Sequence, residues 1–147
     1  MITYKQTLGL DENPEAKKIR QTVFVEEQGF QNEFDEIDPV ARHVVAWEDG
    51  RPIATGRVFP KDGAKETWII GRVAVLPPYR GKGIGALIVH QLEQVALHCG
   101  AREWTLSAQL RAKGFYENLG YTAHGNVYQD EFCPHVAMCK RADDETD

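Results

Sequence analysis

The stretch YRGKGIGALIVHQLEQ combines closely spaced glycines with the start of a segment of helical apolar periodicity. Glycines before a helix let its unpaired first-turn amides approach a phosphate closely, and the helix dipole adds partial positive charge. The stretch therefore predicts a phosphate-binding turn. Two patterns overlap in it. Gly81, Gly83 and Ala86 fit the dinucleotide pattern G-x-G-x-x-G/A, whereas Arg80, Gly83 and Gly85 fit R-x-x-G-x-G.

The surroundings of the turn disfavour the dinucleotide pattern. A dinucleotide fold has its first glycine directly after a strand, but Pro77 and Pro78 separate this turn from the preceding strand. The acid expected about twenty residues later would be Glu103, which begins its strand instead of ending it. A helix cap without a ligand is a third interpretation, although three glycines flanked by Arg80 and Lys82 exceed what one cap needs.

The pattern of the remaining chain predicts a mixed α/β (α+β) domain on one sheet, with antiparallel central strands. β-rich runs predict strands in TYKQTL, over residues 43–47 and 52–59 around the hairpin turn EDG, and in ETWIIGRVAVL, EWTLSA, YTAHGNVYQ and HVAMCKR. Apolar spacing predicts helices over residues 14–28 and 83–99 and a short one in LRAKGFYENLG. The segment GFQNEFDEIDP is predicted to be an irregular acidic loop.

Length and charge restrict the class of protein. The 147 residues suffice for a single domain, 1–147, whose acidic end at 143–147 we expect to be frayed. The net charge of −5 argues against a nucleic-acid partner. No apolar run could cross a bilayer and no secretory signal is recognisable, so we expect a cytoplasmic protein without a membrane partner. Cys133, His135 and Cys139 fit no common zinc spacing, so no metal site is predicted.

The glycine turn and a later segment together resemble one enzyme family. RVAVLPPYRGKGIGALIVHQLEQVA is similar to the acetyl-CoA-binding core of the GNAT N-acetyltransferase superfamily, and AQLRAKGFYENLGY is similar to its second signature. IRQTVFVEEQ and DPVARHVVAWEDGRPIATGRV extend the resemblance, which spans residues 19–121. It implies the GNAT fold, a largely antiparallel mixed sheet flanked by helices, with a splay between the strands near residues 68–75 and 103–108.

The resemblance also implies how acetyl-CoA, the co-substrate, would bind. Its pyrophosphate would lie on the amides of the glycine turn, and its pantetheine arm would enter the splay and pair with the backbone of the first strand. Gln109 stands where the family usually has an asparagine that contacts the coenzyme. The implied binding residues are Val73, Ala74, Val75, Arg80, Gly81, Lys82, Gly83, Ile84, Gly85, Ala86, Gln109 and Tyr116.

The resemblance implies a reaction in which an amine attacks the acetyl thioester. Tyr116 matches the family's tyrosine near the sulfur and would protonate the leaving thiolate, and the Val75 amide would polarise the thioester carbonyl. Spacing alone would favour a Tyr116 that only packs beside Phe115 in the core. Candidate bases are Glu26, its neighbour Glu27, and His43, although a bound ammonium could instead lose its proton through water.

The sequence therefore predicts an N-acetyltransferase that acts on a primary amine of a small molecule. The acids of the loop, with Glu26 and Glu27, would favour a cationic amine unless they merely form a solvated surface. Arg42 or Arg57 could change that preference. The alternatives are a peptide or protein N-acetyltransferase and a non-catalytic acyl-CoA-binding module. Homodimerisation through the C-terminal strands is also expected, because β-rich edges can pair with another copy.

Overall fold

A seven-stranded sheet organises the protein in the computed structural model, which describes residues 1–142. The strand order is β1-β2-β3-β4-β5-β7-β6, and only β4 and β5 run parallel. The predicted class, a mixed and largely antiparallel sheet flanked by helices, is confirmed. The strands are β1 Ile2–Leu8, β2 Arg42–Glu48, β3 Arg51–Lys61, β4 Ala64–Val75, β5 Glu103–Gln109, β6 Thr122–Asp130 and β7 Cys133–Arg141.

The helices pack on both faces of this sheet. They are α1 Pro14–Arg20, continued by a π-helical segment Gln21–Glu27, then α2 Ile84–His98 and α3 Lys113–Asn118, with short 3₁₀ turns Pro77–Tyr79 and Leu110–Ala112. α2 packs on one face through its buried stripe, and α1 packs on the other through its own. No helix within residues 1–142 combines the length and apolarity that a membrane crossing requires. The tail predicted to be frayed, 143–147, lies outside the described residues.

The first helix differs from the prediction of one regular helix over residues 14–28. After Arg20 the backbone widens into π geometry, in which the Gln28 amide donates to the Val23 carbonyl five residues earlier at 3.1 Å. π turns insert one residue per turn, so the next side chains rotate around the helix. Val23 and its neighbour Phe24 are both buried as a result. Apolar spacing could not reveal the widening because it fits either geometry.

The splay between β4 and β5 is present where the sequence predicted it. The two strands pair only from Thr67 with Glu103 to Ile70 with Leu106, although both continue further. Just past the last pair, β4 bulges against β3, and Arg72 takes a positive φ of 54°. A bulge bends its strand and increases the local twist. The ends of β4 and β5 therefore diverge and leave a gap in the sheet.

The acidic loop, residues 28–41, is irregular as predicted, but two of its carboxylates are buried. Arg20 at the end of α1 is 1% exposed and donates from Nε to Glu33 at 2.8 Å and from Nη1 to Asp38 at 2.7 Å. Its Nη2 also donates to the Glu33 carbonyl at 3.0 Å. These bonds fix the loop against α1, because a buried guanidinium requires paired acceptors.

Two sheet residues complete this ion-pair cluster. Arg57 of β3 donates from Nη1 to Asp35 and Asp38, both at 2.8 Å. Arg72 of the bulge donates from Nε to Glu33 at 3.0 Å and from Nη2 to Asp35 at 3.4 Å. Three guanidinium groups thus face three carboxylates. The expectation of an anionic loop is wrong for these acids, because arginines distant in sequence neutralise them.

The Asp38 carboxylate accepts four hydrogen bonds, three of them from Arg20 and Arg57. Burial raises the pKa of its carboxyl, but hydrogen bonds from Arg20 and the Asp35 amide, with attraction from Arg20 and Arg57, outweigh burial and lower the pKa to about 2. A carboxyl with a lower pKa in the folded state contributes stability above its unfolded pKa, here 3.8. That contribution is lost as the pH falls through the folded value.

We expect Asp38→Asn to reduce the free energy of unfolding at pH 7 by about 3 kcal/mol, because Arg20 and Arg57 lose a buried counter-charge. The variant should also lose less stability than the wild type between about pH 4 and pH 2. Urea unfolding at several pH values measures both effects, with the exposed Asp62→Asn as the control. Parallel stability curves for Asp38→Asn and the wild type would contradict this role.

Candidate active site

A cleft of about 850 Å³ occupies the gap between the diverging ends of β4 and β5. Ligand pockets commonly have volumes of about 300–1,000 Å³, so this one can hold a small molecule and part of a cofactor. Its walls come from the π-helical segment, the ends of both strands, the glycine turn, α3 and the tip of the β6–β7 hairpin.

The glycine turn forms one end of the cleft. Gly81 and Gly83 have φ values of 78° and 79°, in the left-handed region that favours glycine. A Cβ at either position would meet no atom within 4 Å, so the space above the turn is open. The backbone amides of residues 81–86 have no acceptor within residues 1–142. Unpaired amides at the start of the 15-residue helix α2 fit a pyrophosphate group.

The Arg80 side chain does not face this anion site. It forms a bidentate pair with Glu27, with both N–O distances at 2.7 Å, and its Nε donates to the Val75 carbonyl at 2.9 Å. Hydrogen bonds from Arg80 lower the pKa of the Glu27 carboxyl. The positive charge that Arg80 was predicted to offer a bound anion is therefore largely neutralised by Glu27. Lys82, whose ammonium lies 5.9 Å from the Tyr79 ring centre, does not line the cleft.

The end of β4 directs backbone groups into the gap. The Leu76 amide donates to the Ile53 carbonyl of β3 at 2.9 Å. Because successive amides of a strand alternate in direction, the amides of Val73 and Val75 point away from β3, towards the gap. Arg80 reaches the Val75 carbonyl from that side. Ala74 has the opposite orientation and buries its side chain against the α1 face.

Tyr116 of α3 lies beside the glycine turn. Its neighbour Phe115 would be 3.2 Å from a Cβ on Gly85, so this glycine permits α3 to pack against the first turn of α2. The Tyr116 ring packs edge-on against Phe115 and Tyr121. Burial raises the pKa of its hydroxyl to about 12, so the phenol is protonated at neutral pH and can donate. Within residues 1–142 this hydroxyl has no hydrogen-bond partner.

Gln109 at the end of β5 links the two sides of the cleft. Its Nε2 donates to Oε1 of Gln28, beside the π-helical segment, at 2.8 Å, and its Oε1 accepts from Arg111 at 2.8 Å. A second link joins the acidic loop to the hairpin tip, where Phe30 and Phe132 stack with centroids 5.1 Å apart. Gln28, Phe30 and Gln109 all line the cleft, and we call the part beside these two links its outer end.

Of the three base candidates, the structure places Glu27 at the cleft but not His43 or Glu26. His43 is 1% exposed, and its Nε2 donates to the Asp38 carbonyl at 2.9 Å beneath the acidic loop. Burial lowers the pKa of its imidazole. Glu26 is exposed, and it is Glu27 that lines the cleft. An alternating strand pattern shows which residues share a face, but not which neighbouring element covers that face.

Three further polar residues, Ser107, Asp130 and His135, also line the cleft. Neither Ser107 nor Asp130 was predicted as a site residue, and His135 was weighed only as a possible metal ligand. The alternation of polar residues at the end of β5 was the one sequence pattern that could have indicated them. The strand register places the end of β5 beside β7. Among residues 1–142 no three His, Cys, Asp or Glu side chains are grouped as a metal site.

Comparisons with known proteins agree on one family. The sequence matches the model described as "Acetyltransferase (GNAT) family" over residues 10–121. The Bacillus subtilis proteins YyaT, called uncharacterized, and YjcF, called an uncharacterized N-acetyltransferase, are 36% and 33% identical over 131 and 129 residues. These alignments cover 86% of each chain for YyaT, and 86% of this chain and 90% of YjcF. A crystal structure of an acyl-CoA N-acyltransferase from Pseudomonas aeruginosa, 27% identical, superposes with a TM-score of 0.83 over 95% of this chain and 99% of that one.

We expect Gly83→Asp to weaken coenzyme A binding on the order of 100-fold, because a carboxylate would stand against the bound pyrophosphate. Gly63→Asp is a matched control, since Gly63 also has a positive φ, 75°, with nothing within 4 Å of its Cβ position, but lies in the β3–β4 turn. Titration calorimetry compares the two variants. Equal affinities for Gly83→Asp and Gly63→Asp would refute the assignment of the phosphate site.

Proposed function

We propose a reaction on one premise: the chain belongs to the acetyltransferase (GNAT) family and is an acyltransferase enzyme. The proposed reaction transfers an acetyl group from acetyl-CoA to a primary amine of a small molecule, by direct attack of the amine on the thioester. Because the chain belongs to an acyltransferase family, the alternative of a non-catalytic acyl-CoA-binding module is disfavoured.

One observation carries the proposal: the unpaired amides of the glycine turn and the open gap between β4 and β5 belong to the same cleft. The amides at the start of α2 would hold the pyrophosphate, and the backbone of Val73 and Val75 would pair with the pantetheine arm. Both sets of groups lack partners of their own in the sheet or helix. They therefore fit an extended, phosphorylated ligand without any rearrangement of the fold.

Two groups would act on the acetyl thioester that the co-substrate supplies. The Val75 amide, directed into the gap, would donate to the carbonyl oxygen as negative charge develops there. The Tyr116 hydroxyl, protonated because its pKa is about 12, would give its proton to the departing sulfur. The Gln28–Gln109 bond would have to accommodate the coenzyme, because it crosses the same gap.

The outer end of the cleft supports a small acceptor over a peptide. Phe132 stacks on Phe30, and Glu131 accepts from the Gln31 amide at 3.3 Å, so the hairpin tip contacts the acidic loop there. An extended peptide would need an open groove at this point. Peptide N-acetylation remains the second candidate, and opening of the hairpin tip would favour it.

Fewer carboxylates are available to favour a cationic acceptor than the sequence suggested. Glu33 and Asp35 are paired with arginines, but Asp130 and Glu131 of the hairpin tip are exposed and line the cleft. These two carboxylates favour a cationic amine.

We further propose a single catalytic domain that acts in the cytoplasm. We also propose homodimerisation through the edge strand β6, which is exposed along most of its length.

Thiol release from acetyl-CoA tests the function. A panel of polyamines, amino sugars, amino acids, aromatic amines and short peptides should give turnover with at least one small amine and little with peptides. Turnover with peptides alone would replace the small-molecule proposal by the peptide one. Failure to bind any acyl-CoA would contradict the proposed reaction as a whole.

We expect Tyr116→Phe to lower kcat about 100-fold at pH 7 for the most active amine of the panel, because the leaving sulfur loses its proton donor. The affinity for acetyl-CoA should change little, since the ring remains. Tyr4→Phe, on β1 and away from the cleft, serves as the control. An unchanged kcat in Tyr116→Phe would exclude the hydroxyl as the donor.

A further inference from the structure

A row of three side chains crosses the sheet beside the cleft. In the strand register His135 of β7 lies opposite Gln109 of β5 and also opposite Tyr128 of β6. The adjacent residues Ala108 and Val136 belong to the core under α2. Because side chains alternate along a strand, the row lies on the face away from α2.

His135 is held in a defined orientation within this row. It is 6% exposed and lines the cleft. Its Nδ1 is 2.9 Å from the Cys133 carbonyl oxygen, and its ring stacks on Tyr128 with centroids 6.1 Å apart. The Tyr128 hydroxyl is in turn hydrogen-bonded to Ser107. The imidazole therefore has a fixed position at the edge of the cleft.

The bond to Cys133 determines the tautomer of this histidine. A carbonyl oxygen can only accept, so Nδ1 carries the proton in the neutral ring. Nε2 is then an unprotonated acceptor. It has no hydrogen-bond partner within residues 1–142. An imidazole with a fixed tautomer and an available Nε2 is suited to accept a proton from a bound amine.

His135 and Tyr116 flank the cleft from opposite faces of the sheet. Tyr116 packs against the core cluster under α2, which includes Ala108 and Val136, whereas His135 projects from the other face. A proton donor on one face and a proton acceptor on the other fit a reaction in which sulfur leaves on one side and an amine arrives on the other. Neither His43 nor Glu26 lines the cleft, and Glu27, which does, is held in a bidentate pair with Arg80.

We propose that Nε2 of His135 is the general base that deprotonates the acceptor ammonium, an assignment that rests on the proposed function. Nε2 takes one proton from the ammonium and later releases it to solvent. As the nitrogen attacks, the C–N bond forms and the C–S bond breaks. Tyr116 gives its proton to the sulfur. The nitrogen then loses a second proton to solvent, and solvent reprotonates Tyr116. The net products are the acetamide, the free thiol and one proton.

The charged groups around His135 are compatible with this role. Asp130 and Glu131 at the hairpin tip and Arg111 after β5 line the same cleft, while the facing groups Gln109 and Ser107 of β5 are neutral. The two carboxylates attract an ammonium and stabilise the imidazolium that forms. The arginine is already bonded to the Gln109 side chain, so its charge is directed there.

His135→Asn tests the proposal, since its amide can still donate to the Cys133 carbonyl while Nε2 is removed. For the most active amine of the panel, kcat/KM at pH 7 should fall about 100-fold and recover as rising pH supplies free amine. Acetyl-CoA affinity should stay unchanged. His90→Asn, on the exposed face of α2, is the control and should behave as wild type. His135→Gln provides a second variant if thermal melting shows that His135→Asn is poorly folded.

A wild-type pH profile in either folded variant, while the enzyme acetylates amines, would overturn this inference and leave the proposed function intact. Long-range ¹H–¹⁵N NMR spectra of the wild type with coenzyme A give a readout that needs no acceptor. We expect a protonated Nδ1 and a bare Nε2 on His135. The opposite tautomer would overturn the inference even if no amine of the panel were acetylated.

Discussion

The parting of β4 from β5 after Ile70 and Leu106 is the constraint on which the rest of the structure depends. Two parallel strands that stay paired satisfy each other's backbone groups, and unpaired backbone groups need other partners. Here the bulge at Arg72 turns β4 away and leaves the Val73 and Val75 amides directed into a cleft. The glycine turn follows after the short 3₁₀ turn Pro77–Tyr79, so the unpaired amides of one strand and one helix face a common space.

The cleft is maintained by polar contacts between segments that are distant in sequence. Arg72 joins the bulge itself to Glu33 of the acidic loop, and Arg20 ties the same acid to α1. Buried ion pairs add little net stability, but the loss of one partner is costly, so such a cluster selects one arrangement of its elements. The position of the acidic loop at the cleft wall and the divergence of β4 are consequently coupled.

Short local patterns in the sequence were enough to predict much of this architecture. The EDG turn predicted the β2–β3 hairpin because Asp49 and Gly50 both take positive φ, and the glycine pattern predicted where α2 begins. The base candidates and the anionic loop were less predictable. Arg57 of β3 meets Asp35 only because the loop folds against the sheet, and His135 lies opposite Gln109 only through the register of β5 and β7. Both depend on long-range contacts that no short segment encodes. The π-helical widening likewise leaves no mark in apolar spacing.

Hydrogen–deuterium exchange with and without coenzyme A tests most directly whether the gap and the glycine turn form one ligand site. Binding should slow exchange in peptides that cover residues 72–86, where the unpaired amides lie, and leave β1 and the β2–β3 turn unchanged. Protection confined to other segments, or no protection at saturating coenzyme A, would contradict the account.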